Sequence, residues 1–209
     1  MLHEQALPPG TLPVLRELLE VPLLRPHALV GGTALALRYG HRLSVDLDLF
    51  TTAPMDTTAV VEALEARFAA RFSFRRDQQA KWAVFGFIDG IKLDIVHFPH
   101  LRIAELSLEG AIPMYADADI AAMKIEAILH RAKKKDFYDL EVLLRKHGLG
   151  QVMEWHRAKY PDNSIAISIP YAITYFKDAE DSEDPISLQG QTWEGVKASI
   201  QKAVRDYLS

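Results

Sequence analysis

The chain has 209 residues, 49% of them hydrophobic, no cysteine and a formal net charge of −4. That length and apolar content can bury a substantial core as one large domain or two small ones. The lack of cysteine excludes disulfides, zinc–thiolate sites and cysteine nucleophiles together, which fits a reducing cytoplasm.

The longest apolar runs, Ala34 to Leu37 and Ile165 to Ile169, fall far short of the ~20 residues a spanning helix needs. The first ten residues lack a basic start followed by an apolar stretch. Neither a membrane segment nor a secretory signal is expected, and the expected location is cytoplasmic.

In chain order, Leu12, Val14, Leu15, Leu18, Leu19 and Leu23 recur near helical spacing and predict an amphipathic helix over 11–24. Ala28 to Val30 reads as a short strand stopped by Gly31-Gly32, and helix formers resume from Thr33 to Tyr39. Leu43 to Phe50 alternates, with Val45, Leu47 and Leu49 on one side and Ser44, Asp46 and Asp48 on the other, the period of a half-buried strand. Thr57 to Phe72 fits a helix capped by Asp56 or Thr57. Lys81 to Ile88 and Ile91 to Phe98 read as strands joined by an Asp89-Gly90 hairpin turn.

Beyond Pro113 the pattern turns helical, over Ile120–Arg131, Phe137–Lys146, Val152–Tyr160, Tyr171–Phe176 and Trp193–Tyr207. Strands are thus expected only in the first half, in an α/β (α+β) domain over 1–110 followed by a helical domain over 111–209. The basic run 131–135 and the acidic run 177–184 are expected at different ends of the molecule, one able to meet phosphate and the other repelling it.

Side chains two apart on a strand share a face, so Asp46 and Asp48 project together at roughly 6–7 Å Cα spacing. Two such charges at ~4 Å would repel by about 4 kcal/mol at an effective dielectric near 20, a conflict relieved by a proton or a shared cation. Mg²⁺ suits such a pair, being hard and held by one or two carboxylates plus substrate phosphates. The Gly31-Gly32-Thr33 turn opens a helix, where free N–H groups and the positive dipole end favour an anion such as a triphosphate. Thr33 could cap that helix or donate its hydroxyl to phosphate. Singly, a Gly-Gly pair is usually only a turn and an Asp-Leu-Asp usually a solvated edge. Together they form the set of parts that metal-assisted nucleotidyl transfer requires.

Val30-Gly31-Gly32, thirteen intervening residues, then Asp46-Leu47-Asp48-Leu49 resembles the signature of the DNA polymerase β-like nucleotidyltransferase superfamily. The fuller string, Gly31 to Leu37 with Arg42, Ser44 and Asp46 to Phe50, is similar to the AbiEii/AbiGii toxin family. A second block, Lys124, Arg131 and Asp136-Phe137-Tyr138-Asp139-Leu140, matches the same family, with Lys135 where arginine is usual.

The resemblance covers about 27–145 and implies a nucleotidyltransferase fold, a small mixed sheet flanked by helices. It implies a third carboxylate, for which Asp94 is the natural candidate: Ile91, Leu93 and Ile95 face one way, leaving Lys92 and Asp94 on the other. Asp46, Asp48 and Asp94 would then be the catalytic and metal residues, holding Mg²⁺, with Mn²⁺ an alternative. The resemblance also places Lys124 on the nucleotide, with Arg131 two turns on and ~10 Å away along one helix face; the plainer reading is a solvated basic stripe. Arg42 and Ser44 read as phosphate or substrate contacts, and Asp136 as an N-cap, a site residue, or both.

The implied activity is transfer of a nucleoside monophosphate from an NTP to an acceptor hydroxyl. The implied setting is the toxin half of a toxin–antitoxin or phage-defence pair, with a cognate antitoxin as partner and RNA such as the tRNA acceptor end as acceptor. Lys133, Lys134 and Lys135 are the expected contact with that polyanion. A metal-dependent phosphodiesterase, and a non-catalytic nucleotide- or partner-binding protein that keeps the fold, are the alternatives.

Overall fold

The computed structural model describes residues 2–74, 80–162 and 168–209. α1 (Thr11–Leu19) is shorter than its leucine pattern predicts, because Pro22 lacks the N–H to continue it and Pro22–Leu24 form a 3₁₀ turn instead. β1 (Ala28–Leu29) leads through Val30 into α2 (Gly31–Tyr39), and β2 spans Leu47–Thr51. The predicted strand over 43–50 therefore starts late. The Leu43 N–H donates to the Ile186 carbonyl and the Ser44 N–H to the Ala6 carbonyl, so this segment pairs with the two ends of the chain before it reaches the sheet.

α3 (Thr57–Phe68) is capped by Asp56, whose carboxylate accepts from the Thr58 and Ala59 N–H groups at 3.0 and 3.1 Å. It stops before Phe72 because Phe72–Phe74 pair as β3 onto β4 (Ala83–Ile88). β4 turns through Asp89 (φ 51°) and Gly90 (φ 79°) into β5 (Ile91–His97), the two positive φ values that a two-residue hairpin demands.

β6 (Ser107–Glu109) and β7 (Ile112–Met114) form a second, short hairpin that carries the sheet past residue 110. Among the described residues the sheet has seven strands in the order β3-β4-β5-β2-β1-β7-β6. β2 runs parallel to β5, and β1 parallel to β7 and antiparallel to β2, so the sheet is mixed as expected.

One side of the central strands is apolar. Leu47, Leu49, Leu93, Ile95, Val84 and Ile88 are buried there, with Leu64 and Phe68 of α3 in the same core. The other side carries the carboxylates.

The helical half follows as α4 (Asp117–Arg131), α5 (Lys134–Lys159), α6 (Ile169–Ala172) and α7 (Trp193–Leu208). α5 is two helices in sequence, since Gly148 breaks it with φ 75° and ψ 157° between the two predicted pieces. α4 and α7 both pack on α5, and the apolar core runs without interruption from Leu7 to Val204.

The acidic run does not lie at the far end from the basic one. Asp184 meets the Lys134 ammonium at 3.1 Å, and the Ser182 hydroxyl accepts from the Lys134 N–H at 2.9 Å. Among the described residues no helix is long and apolar enough to cross a membrane. Residues 165–167 of the second apolar run lie outside the described residues.

Candidate active site

The glycine turn is required twice over. Gly31 has φ +70°, and a Cβ there would also sit 3.0 Å from Asp48 Oδ2. Gly32 needs no unusual φ, but a Cβ would lie 2.1 Å from Arg42 Nη2, closer than atoms can approach. Val30 is the N-cap of α2, and its N–H donates to the Asp48 carbonyl at 3.0 Å. This bond ties the turn to β2; the first N–H groups of α2 have no partner within the helix, and Gly31 and Gly32, which carry two of them, line the cleft. Thr33 neither caps α2 nor lines the cleft. It is buried, its hydroxyl bonds the Asp46 carbonyl and sits 2.9 Å from Ser44 Oγ, and it so fastens 44–46 beneath the turn.

The carboxylates come from two strands and the approach to one of them. Asp48 on β2 stands directly opposite Asp94 on β5 in parallel register, and Asp46 precedes β2 on the same rim. Burial, then the neighbouring Asp94 charge, pushes the Asp48 carboxyl up to about 6; Asp46 adds to this, while Lys92 and Lys124 oppose it. Asp94 Oδ2 accepts from Lys92 Nζ at 2.6 Å, whereas Asp94 Oδ1 is buried with no hydrogen-bond partner. Asp46 Oδ2 lies 3.3 Å from Lys135 Nζ. Two lysines thus neutralise the outer carboxylates, and among the described residues no three acidic side chains close around one point. The donor set still fits a hard divalent ion: three carboxylates on one rim, one with an orphaned oxygen and one whose charge is unfavourable as it stands.

Behind the rim lies a buried charge network. Asp139 is fully buried and accepts from Arg42 Nε at 2.7 Å and Nη2 at 2.9 Å, the two-pronged geometry of a strong guanidinium–carboxylate pair. His41 Nε2 and Lys124 Nζ reach the same carboxylate at 2.8 and 2.6 Å. Burial alone would raise the Asp139 pKa, but the Arg42 and Lys124 charges hold it well below the usual carboxylate range. Lys124 also contacts Asp136 Oδ1 at 2.9 Å, and Arg131 Nη2 reaches that atom at 3.4 Å. Burial opposes the charge on Lys124, yet Asp139 and Asp136 raise its pKa.

Of the residues singled out from the sequence, Gly31, Gly32, Arg42, Ser44, Asp46, Asp48, Asp94, Lys124 and Arg131 line a single cleft, with Ile120, Met123 and Ala127 of α4 as its other wall. Thr33 and Asp136 sit outside that lining. Asp136 is not an N-cap, since Lys133 holds that position before α5 and Asp136 lies in the first turn as an ion-pair partner. Arg42 and Lys124 edge the cleft with their charges already engaged, and Arg131 is the exposed cation. Asp139 and Lys92 were not given a role, and Lys135, expected on the RNA acceptor, instead reaches into the cleft to Asp46. Asp139 and Lys135 stand in the block that carries the family resemblance; for Lys92 the only signal is its place two residues before Asp94.

A family model described as nucleotidyl transferase AbiEii toxin, Type IV TA system, matches residues 14–183. The chain belongs to this family. It is 35% identical over 186 residues to an uncharacterized protein of Aquifex aeolicus, a match covering 86% of this chain and 87% of that one. Among solved structures, MenT4, a nucleotidyltransferase toxin from Mycobacterium tuberculosis, aligns with a TM-score of 0.59 at 18% identity, over 92% of this chain and 81% of its own. JHP933 from Helicobacter pylori aligns with a TM-score of 0.59 at 18% identity, over 98% and 92%. These two likenesses share the fold. As a member of the AbiEii family the protein is a nucleotidyltransferase, and the family's type IV toxin–antitoxin context points to an NTP substrate and an antitoxin partner.

Proposed function

We propose that this AbiEii-family enzyme transfers a nucleoside monophosphate from an NTP to a hydroxyl of RNA, such as the tRNA acceptor end, as the toxin of a cytoplasmic toxin–antitoxin pair. The observation that supports this best is the register of Asp48 beside Asp94 on parallel strands, facing the glycine turn across one cleft.

In this reading Asp46, Asp48 and Asp94 hold Mg²⁺ or Mn²⁺, which would neutralise the triphosphate and favour ionisation of the acceptor hydroxyl. The N–H groups at Gly31 and Gly32 bind phosphate oxygens, and the exposed Arg131 guanidinium supplies a further counter-charge. Lys124 and Arg42 act from behind. They are fixed by Asp139 and Asp136, so their charges are preorganised and need no rearrangement as the bond to the α-phosphate forms and pyrophosphate leaves.

The test is incubation of the pure protein with each α-labelled NTP, total RNA and Mg²⁺ or Mn²⁺. Label should enter RNA and should be absent with Asp48→Asn. Label appearing only on a small molecule or on protein, or undiminished RNA labelling by a well-folded Asp48→Asn, would defeat the proposal.

A further inference from the structure

The catalytic face of the sheet does not end at the carboxylates. On β4, Phe85 stands opposite Asp94 and Phe87 opposite Lys92 in antiparallel register. Residues directly opposed across an antiparallel pair point to the same face, with Cα atoms about 4.5–5.5 Å apart. Moving outward across the strands, this face therefore reads Asp48, then Asp94 and Lys92, then Phe85 and Phe87.

Trp82, in the turn before β4, sets its ring edge-on to Phe85 at 5.8 Å between centroids. Trp82 is 54% exposed and Phe87 45% exposed. Lys81 beside them is exposed, and the Lys92 side chain is close to half exposed with its ammonium on Asp94 at 2.6 Å, so Lys81 is the cation left for a phosphate.

Strand alternation does not account for these rings. The core-facing positions of β4 are taken by Val84, Gly86 and Ile88, so a polar residue would serve at 85 or 87. The other wall of the cleft is taken by the glycine turn and the Arg131 face of α4, which suit a triphosphate. The β5–β4 side, next to Asp94, is what remains for the second substrate. Exposed rings flanked by cations are how proteins hold unpaired nucleotides: any base stacks on an aromatic face while lysines offset the backbone charge. A protein partner is the poorer fit, because lysine is depleted from the centres of protein interfaces.

We propose that Trp82, Phe85 and Phe87 form a stacking shelf for the unpaired terminal nucleotides of the acceptor RNA, which presents the terminal hydroxyl at the Asp94 end of the cleft. This rests on the RNA-acceptor reading above and adds where the acceptor lies and what holds it.

The experiment uses the full chain and a short single-stranded RNA, first without NTP. RNA should quench tryptophan fluorescence, and Trp82→Phe should remove most of the quench while keeping the binding, because the ring persists. Trp82→Ala combined with Phe87→Ala, both at exposed positions, should weaken RNA binding by about tenfold or more. In the labelling assay the same variant should raise KM for RNA and leave NTP binding unchanged.

If the wild type labels RNA but the double variant binds and labels it within twofold of wild type, the shelf is refuted and the acceptor reading survives. A wild type that neither binds nor labels RNA removes both. Should the double variant keep RNA binding and instead release an antitoxin or a second copy of the chain, the rings are a protein contact and the proposal is overturned.

Discussion

Asp139→Asn isolates what the buried network contributes. The carboxylate is fully buried and neutralises Arg42 through two hydrogen bonds and Lys124 through a contact of 2.6 Å. Asparagine keeps the shape and one acceptor oxygen but removes the charge, leaving a buried guanidinium and a buried ammonium with Asp136 and, for Arg42, the more distant Asp46 as the remaining counter-charges. Breaking a buried pair by removing one partner costs about 3–5 kcal/mol. For a chain of this size that corresponds to a melting temperature lower by roughly 6–20 °C.

The pH dependence follows from the direction of the shift. A carboxyl held below its unfolded value of 3.8 contributes stability that is present above that pH and is lost as pH falls through the folded value. The two proteins should therefore differ most near neutrality and converge in acid. Urea titrations at neutral and acid pH measure both effects. A loss under about 1 kcal/mol at neutral pH, the size of an exposed pair, would refute the network as a structural element.

Asp48→Asn should behave in the opposite sense. With its carboxyl raised to about 6 from 3.8, the native state holds the extra proton, so stability falls as pH rises through that window. In EDTA at pH 7.5 the variant should gain on the order of 3 kcal/mol by that shift, should show little gain below pH 4, and should transfer no nucleotide; thermal scans with the labelling assay check all three. Gly32→Ala should displace the Arg42 guanidinium and lower both stability and NTP binding, whereas Gly10→Ala, where a Cβ meets nothing but φ is +88°, should affect stability alone. Lys135→Ala should reduce the slope of RNA affinity against salt by about one. Lys134→Ala, whose ammonium is turned to Asp184, should leave that slope unchanged and lower stability, since its side chain is buried against Trp193.

The features legible in the sequence are those set by neighbours along the chain. Asp89-Gly90 announces its hairpin because few residues accept two positive φ values in succession. Asp56 announces the start of α3, and Gly31-Gly32 the turn above Asp48. What periodicity could not supply was set by partners distant in sequence. Ser44 and Asp46 alternate as a strand would, yet the backbone of 43–44 pairs with Ala6 and Ile186, so β2 begins only at Leu47. β6 and β7 have three residues each, too few to display a period. Lys124 and Arg131 read alike as cations two turns apart, but only the fold reveals that Asp136 and Asp139 from α5 hold the first and leave the second exposed. The acidic run after Lys177 was expected to stand apart from Lys134, and charge alone could not indicate that the chain returns to place Asp184 beside it.

The pairing of Arg42 with Asp139 spans 97 residues of chain. During synthesis both glycines and all three carboxylates leave the ribosome long before Asp139 does, at about 5–20 residues per second. Until α5 emerges, Arg42 lacks the carboxylate it pairs with in the fold, and the turn it supports through Gly32 is unbraced. A prematurely terminated product carrying the whole glycine–aspartate signature should therefore be inert.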